Sequence, residues 1–279
     1  MGDCIVIHAL FQFSGSREPP GADLMTSPTT SLSPLTLRAG LFIAAGGLCV
    51  TALVVAIAGV SPFNQTFVLG ALVPYLVVGS IAVAKIAAYH PYEKFGTANA
   101  LTLVRLMATA LLGGLAAEVT LHELRPVAWI AWSFCLMAGA AVVVDGLDGY
   151  AARREKLVSA FGGRFDMEVD ALQILLLCVI VFALGKTGAW VLIGGALRYL
   201  YEIAGLCWPA LRGQLFPSFR RKLISVIQGS TLAALLAPVI TPPLSSAAAA
   251  IALALLLYSF AVDVVWLARE DRRLKQASL

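Results

Sequence analysis

Charged residues are what this sequence has least of. Asp, Glu, Lys and Arg make up 13% of its 279 residues, where soluble domains carry about 25%. With 59% hydrophobic residues and a mean hydropathy of +0.86, the chain is excluded from the water-soluble class and reads as a polytopic membrane protein. Cysteine chemistry is missing too. Cys4, Cys49, Cys135, Cys178 and Cys207 are scattered, mostly inside apolar runs, and no pair has CxxC or metal-ligand spacing. They read as small core or lipid-facing residues. Histidine is scarcer still, and His8, His90 and His122 sit in tail or loop positions that suggest no site. The net charge of +4 says little about nucleic acid, because the basic residues fall in loops that a membrane protein needs anyway. No nucleic-acid partner is expected.

Residues 1–34 are rich in Pro, Ser, Thr and Gly and read as a disordered tail. The mildly apolar residues 4–13 lack a basic segment before them, so a signal peptide is not expected, and Met25 is an alternative start. Eight apolar runs of bilayer-crossing length follow, near 39–60, 66–88, 99–118, 127–145, 166–185, 188–208, 223–241 and 246–267. Breakers such as Ser61-Pro62, His90-Pro91, Arg125-Pro126 and Thr241-Pro242-Pro243 separate them. One set of loops and ends holds Arg38, Lys85, Lys94, Arg153, Arg154, Lys156, Arg164, Arg212, Arg220, Arg221, Lys222 and the tail from Arg269. The opposite set holds only Arg125 and Lys186. The excess of positive charge on the cytoplasmic side of membrane proteins puts both termini in the cytoplasm, in what we expect to be a bacterial inner membrane.

Four acids stand out against this apolar background, in the stretch DGLDGYAARREKLVSAFGGRFDMEVD. Asp145 and Asp148 are three apart, Asp166 and Asp170 four apart, so on helices each pair shares a face. The first pair is expected at the end of one membrane helix and the second at the start of the next. Four ionised carboxylates brought together repel one another, and one divalent cation or two would remove that cost. Oxygen-only ligands favour Mg²⁺, Mn²⁺ or Ca²⁺ over zinc or copper. Gly149 and Gly162 leave room for a backbone or ligand, and Arg153 can neutralise a phosphate. The alternative is a solvated charged loop whose Arg153, Arg154, Lys156 and Arg164 only set topology.

The pattern D-x2-D-G-x2-A-R-x8-G-x3-D-x3-D resembles the signature of the CDP-alcohol phosphatidyltransferase family. Asp145, Asp148, Gly149, Ala152, Arg153, Gly162, Asp166 and Asp170 all match it with the gaps intact. The resemblance implies an all-α, six-helix membrane core over residues 91–268, preceded by two additional transmembrane helices over 35–90 and followed by a basic cytoplasmic tail at 269–279. It implies transfer of a phosphatidyl or similar phospho-alcohol group from a CDP-alcohol, CDP-diacylglycerol foremost, to an acceptor alcohol with release of CMP, in phospholipid biosynthesis. Two Mg²⁺ or Mn²⁺ ions would be held by Asp145, Asp148, Asp166 and Asp170. Asp170 would also serve as general base, and Gly149, Ala152, Arg153 and Gly162 would line the cytidine nucleotide. Membrane lipids are partners by location. The two leading helices could pack on the core, support a homodimer or shield a substrate entrance.

Three further elements fit less fully. In TANALTLVR, Asn99, Thr102 and Arg105 match the family's N-x-L-T-x-x-R element and are expected to contact the nucleotide or its diphosphate. The alternative is a helix cap at Thr97 or Asn99 and an Arg105 reaching to the interface. Arg198 resembles an Arg of the fourth core helix and could bind an acceptor's phosphate, or simply pair with Glu202. In FRRKLISVIQ, Lys222, Ser225 and Gln228 match a G-K-x-K-T-x-x-Q element, while Arg221 replaces its Gly and Ile224 its second Lys. Arg221 and Lys222 are acceptor-binding candidates, or part of a topology cluster with Arg220. Glu118 and Asp263 read as helix-end or pairing residues, and Gly194-Gly195-Ala196 as close helix packing. A cation or solute transporter using the Asp cluster is the alternative function, although no internal repeat is visible.

Overall fold

The computed structural model describes residues 34–155, 157–213 and 218–277; the side chains of Leu147, Asp148, Tyr150, Ala151, Ala152, Arg212, Leu274 and Ala277 are outside the description. The expected tail and Met25 lie outside it, Pro34 excepted. Among the described residues eight long α-helices follow one another and no strand occurs. We number them α1 (Pro34–Val60), α2 (Gln65–Tyr89), α3 (Thr97–Leu121), α4 (Ala128–Glu155), α5 (Ala160–Ala183), α6 (Leu192–Cys207), α7 (Phe219–Leu235) and α8 (Leu244–Ala277). Single turns at Ala189–Val191 and Pro209–Arg212 flank α6.

Six segments are long and apolar enough to cross a membrane unaided: α1, α2, α3, Ala128–Gly146 of α4, Ala189–Cys207 and Leu244–Arg273 of α8. The protein is therefore an integral, multi-pass membrane protein. The other two expected runs also form helices, but α5 carries Arg164, Asp166, Glu168 and Asp170 in its first half, and α7 has 17 residues. α3 is the hub. Its apolar window is 67% buried against 17–28% for the other five, and Leu106, Leu112 and Leu115 on it are almost wholly enclosed.

The two leading helices are fastened to this hub. A Cβ at Gly70 of α2 would lie 2.7 Å from the Gly113 carbonyl oxygen, and one at Gly114 would lie 2.7 Å from the Phe67 carbonyl oxygen. The backbones meet where bilayer-embedded helices have only packing to hold them. Buried Glu118, at the far end of α3, accepts the Asn64 and Phe67 N–H groups at 3.0 Å each. It is a helix-end residue as expected, but the end it serves is the start of α2. Gly195 packs close as well, its absent Cβ falling 2.8 Å from Leu175 Cα.

Several helix ends differ from the sequence reading: α1 begins at Pro34, α5 at Ala160 and α7 at Phe219, and α8 runs to Ala277 through the expected basic tail. α4 does not end near Asp145 but runs to Glu155. Past the membrane stretch, Ala151 and Ala152 favour helix, and Arg153 and Arg154 in the last turn suit its negative end. Asp145 and Asp148 are thus inside a helix, and Asp166 and Asp170 lie two to three turns into α5. α7 ends at Leu235 rather than near Thr241, because Pro238 has no N–H to continue it. Arg164 and Arg220–Lys222 are likewise in the first turns of helices, not in loops.

Candidate metal centre and active site

The start of α3, the late turns of α4 and the first half of α5 converge at one end of the bundle. Each helix join there is made by a specific side chain. Gly96 precedes α3 at φ +80° and provides no cap, a conformation open to glycine. The cap comes from Glu155 at the end of α4, which accepts the Thr97 N–H at 3.0 Å and the Thr97 hydroxyl at 2.7 Å. The hydroxyl foremost, then the N–H, holds the Glu155 carboxyl below the usual range. Neither Thr97 nor Asn99 caps α3. Asn99 is buried within it, donates to the Phe95 carbonyl at 2.5 Å, and lies 3.0 Å from where a Gly162 Cβ would stand. Thr102 is buried and donates to the Ala98 carbonyl at 3.1 Å.

α5 is capped by Ser159, whose Oγ accepts the Gly162 N–H at 3.0 Å. His90 supports this cap, with Nδ1 2.8 Å from Ser159 Oγ and Nε2 2.8 Å from the Lys94 carbonyl oxygen. A carbonyl only accepts, so Nε2 carries the hydrogen; in the neutral ring Nδ1 accepts the serine hydroxyl. The sequence reading saw no role for His90 in a site. Its role is structural, and an S-x-x-G run before a helix was the one available signal.

At the centre, Asp145, Asp166 and Asp170 each direct an oxygen into one space, all within 4.8 Å of one another. The Arg105 guanidinium is among them, 2.9 Å from Asp145 Oδ1 and paired with Asp166 and Asp170. Arg105 is 1% exposed, so it does not reach to the interface. It meets the carboxylates themselves. Three ionised carboxylates against one guanidinium leave two negative charges, which fits one divalent cation. The donors are all oxygen, which fits Mg²⁺ or Mn²⁺. Asp148 and Ala152 belong to α4 but their side chains lie outside the described ones. Gly149 is on the same helix, with the exposed Arg153 guanidinium alongside, 3.4 Å from where a Gly149 Cβ would be.

Asp170 also borders a cavity of about 400 Å³ between α5, α6, α7 and α8, together with Arg198, Tyr201, Arg221, Ser225 and Asp263. The structure brings Arg198 and Arg221 to this space; Lys222 is exposed and does not line it. Arg198 Nη2 pairs with Glu202 at 2.9 Å, and equally with Glu168 at 2.9 Å. Arg164 closes the group, 3.1 Å from Glu168 and 2.6 Å from Glu202. Of this network the sequence reading named only the Arg198–Glu202 pair; Arg164 and Glu168 have the same spacing within α5. Asp263 pairs with Arg220 at 2.5 Å and Arg221 at 3.4 Å, the pairing role expected of it.

Fold and site together define a multi-pass membrane protein with three converging carboxylates at one end of its helix bundle. The chain belongs to the CDP-alcohol phosphatidyltransferase family, whose sequence model matches residues 95–265. Membership implies a transferase of CDP-alcohol chemistry that uses a divalent cation, with α1 and α2 outside the matched residues. No curated protein and no solved structure matches the chain.

Proposed function

We propose that the protein transfers a phosphatidyl group from CDP-diacylglycerol, or a similar group from another CDP-alcohol, to an acceptor hydroxyl and releases CMP into the cytoplasm. The observation that carries this reading is the convergence of Asp145, Asp166 and Asp170 within 4.8 Å in a chain of this family. Mg²⁺ or Mn²⁺ ions would be held by these three and Asp148, and when bound they would neutralise charge on the diphosphate as it reacts. Asn99, Thr102, Gly149, Ala152, Arg153 and Gly162 are the proposed nucleotide surface, with Arg105 holding the carboxylates beside it. The acceptor enters the cavity that Asp170 borders, near Arg198 and Arg221, with Lys222 at most at its mouth. There its oxygen attacks the β-phosphorus, the bond from that phosphorus to the bridging oxygen breaks, and CMP leaves with the electron pair. The acceptor's proton passes to the Asp170 carboxylate.

The donor's acyl chains reach the centre sideways from the bilayer. The family match leaves the transporter reading without support. The test is CMP release by the purified protein from CDP-diacylglycerol with a panel of acceptor alcohols, with Mg²⁺ or Mn²⁺ and then with excess chelator. Release that persists undiminished in chelator would sink the cation centre. Absence of release with any CDP-alcohol would sink the reaction.

A further inference from the structure

A second large opening lies apart from the carboxylates, where α1 begins. It encloses about 720 Å³ and is lined by Arg38 and Phe42 of α1, Lys94 and Phe95 of the α2–α3 linker, and Glu155 and Leu157 in the gap between Arg153 and Gly162 of the signature. Arg38, Phe42 and Lys94 precede the family-matched residues, so this wall is an addition of this chain.

The cavity has two chemistries. Phe42 and Phe95 stack with centroids 5.3 Å apart and planes at 16°, and with Leu157 they form an apolar side. Arg38 and Lys94 are exposed at its rim. The contact from Arg38 Nη1 to the Glu93 carbonyl is 3.4 Å, long for an N–H···O bond, so its fork is available to two oxygens of an anion. Glu155 is the one acid in the lining, and both its oxygens are taken by Thr97. Two cations against one carboxylate leave the rim with a net positive charge. Its depth is also fixed. Arg38 is in the first turns of one membrane-crossing helix and Lys94 follows another, which is the level of lipid headgroups. Leu37 and Leu41, 54% and 62% exposed, turn α1 toward hydrocarbon at the same place.

We propose that this cavity binds an anionic phospholipid of the surrounding bilayer, its phosphate between Arg38 and Lys94 and its acyl portion along Phe42 and Leu157. The lipid fills the space between α1 and the core and ties the linker that leads into α3. A zwitterionic lipid is disfavoured because its ammonium would face the same two cations. The site is independent of the transfer reaction, and its test needs no turnover.

The test is native mass spectrometry of the purified full chain in detergent, titrated with phosphatidylglycerol or phosphatidylcholine of the same acyl chains. Phosphatidylglycerol is expected to bind more tightly. Near a membrane surface each cation contributes about a fivefold effect, so Arg38→Gln with Lys94→Gln should weaken it about thirtyfold. Phosphatidylcholine should be unaffected, and so should phosphatidylglycerol binding by Arg269→Gln with Arg272→Gln in the basic tail. If the double variant does not fold, each single variant should still show the fivefold loss. Phe42→Ala should weaken the lipid. Inorganic phosphate competing as well as the lipid would overturn a lipid site in favour of a free anion. Displacement of the lipid by CDP would make it part of the nucleotide site, and unchanged preference in the Arg38 and Lys94 variants would overturn it outright.

Discussion

At Arg105 burial and charge act against each other. A guanidinium 1% exposed is costly to bury alone, and Asp145, Asp166 and Asp170 make it tolerable while it lets them converge. Losing one partner of such a group typically costs about 3–5 kcal/mol. Arg105→Met should therefore melt well below the wild type in chelator, and Mg²⁺ should restore more stability to the variant than it adds to the wild type. That follows because three uncompensated carboxylates bind a cation more tightly, and binding stabilises by mass action. Equal Mg²⁺ shifts in both proteins would mean that the cation does not share these carboxylates. Asp170 separates two roles. Asp170→Asn can still accept a hydrogen bond but cannot take the acceptor's proton, so turnover should fall by about 10²–10⁴ while CDP-alcohol affinity largely survives. Equal loss of both would make Asp170 chiefly a ligand, and near-normal turnover would remove it from the mechanism.

The starts of α2 and α3 are held by carboxylates from other helices, and that sets the predictions at the scale of elements. Glu118→Ala would leave the Asn64 N–H without its acceptor, at about 1–3 kcal/mol if that group stays dry, and the Phe67 N–H with only the Asn64 carbonyl at 3.1 Å. The melting temperature should drop, and exchange should rise at the start of α2 before it rises in α3. Glu155 makes a pH-dependent join. Its folded pKa is depressed by Thr97, so the stabilisation is present above the ordinary carboxylate range and is lost as pH falls through the lower folded value. Amide exchange at the first turn of α3 should accelerate across that fall in the wild type and show no such step in Glu155→Gln. Neither join could be read from the sequence. Asp145, Asp166 and Asp170 were legible because they lie within one short stretch at helical spacing. Glu155 and Thr97 are 58 positions apart, and Glu118 and Asn64 are 54 apart, so their meeting depends on how finished helices cross. The Arg164–Glu168–Arg198–Glu202 network was half legible for the same reason: the spacing within α5 or α6 is visible, the crossing of α5 over α6 is not. The apolar runs revealed the helices, whereas the ends of α4 and α7 were set by residues beyond those runs.

Across the whole molecule the basic residues are distributed unevenly, and the two exceptions have structural work to do. Lys186 donates to the Leu235 and Ala237 carbonyls at 2.6 and 2.5 Å, the negative end of α7. Arg125 donates to the Leu184 carbonyl at the end of α5. Both satisfy carbonyls left over by a helix terminus, and burial lowers the Lys186 pKa. We predict that neither acts as a topological signal. The remaining loops and ends, with Arg38, Lys94, Arg153 and Arg154 among them, carry the orienting charge. We predict eight crossings, with both termini and the acidic centre on the cytoplasmic side. Single cysteines placed in a cysteine-free background should report this. One at Asn64 should react with an impermeant reagent in intact cells, and one at Gln276 only after the membrane is opened. Labelling of Gln276 from outside would reverse the assignment, while labelling of both from the same side would mean an even number of crossings between them. Lys186→Gln sharpens the test. If Lys186 serves α7 alone, the variant should lose stability and keep the same labelling pattern; an inverted pattern would show that this single charge was orienting the bundle after all.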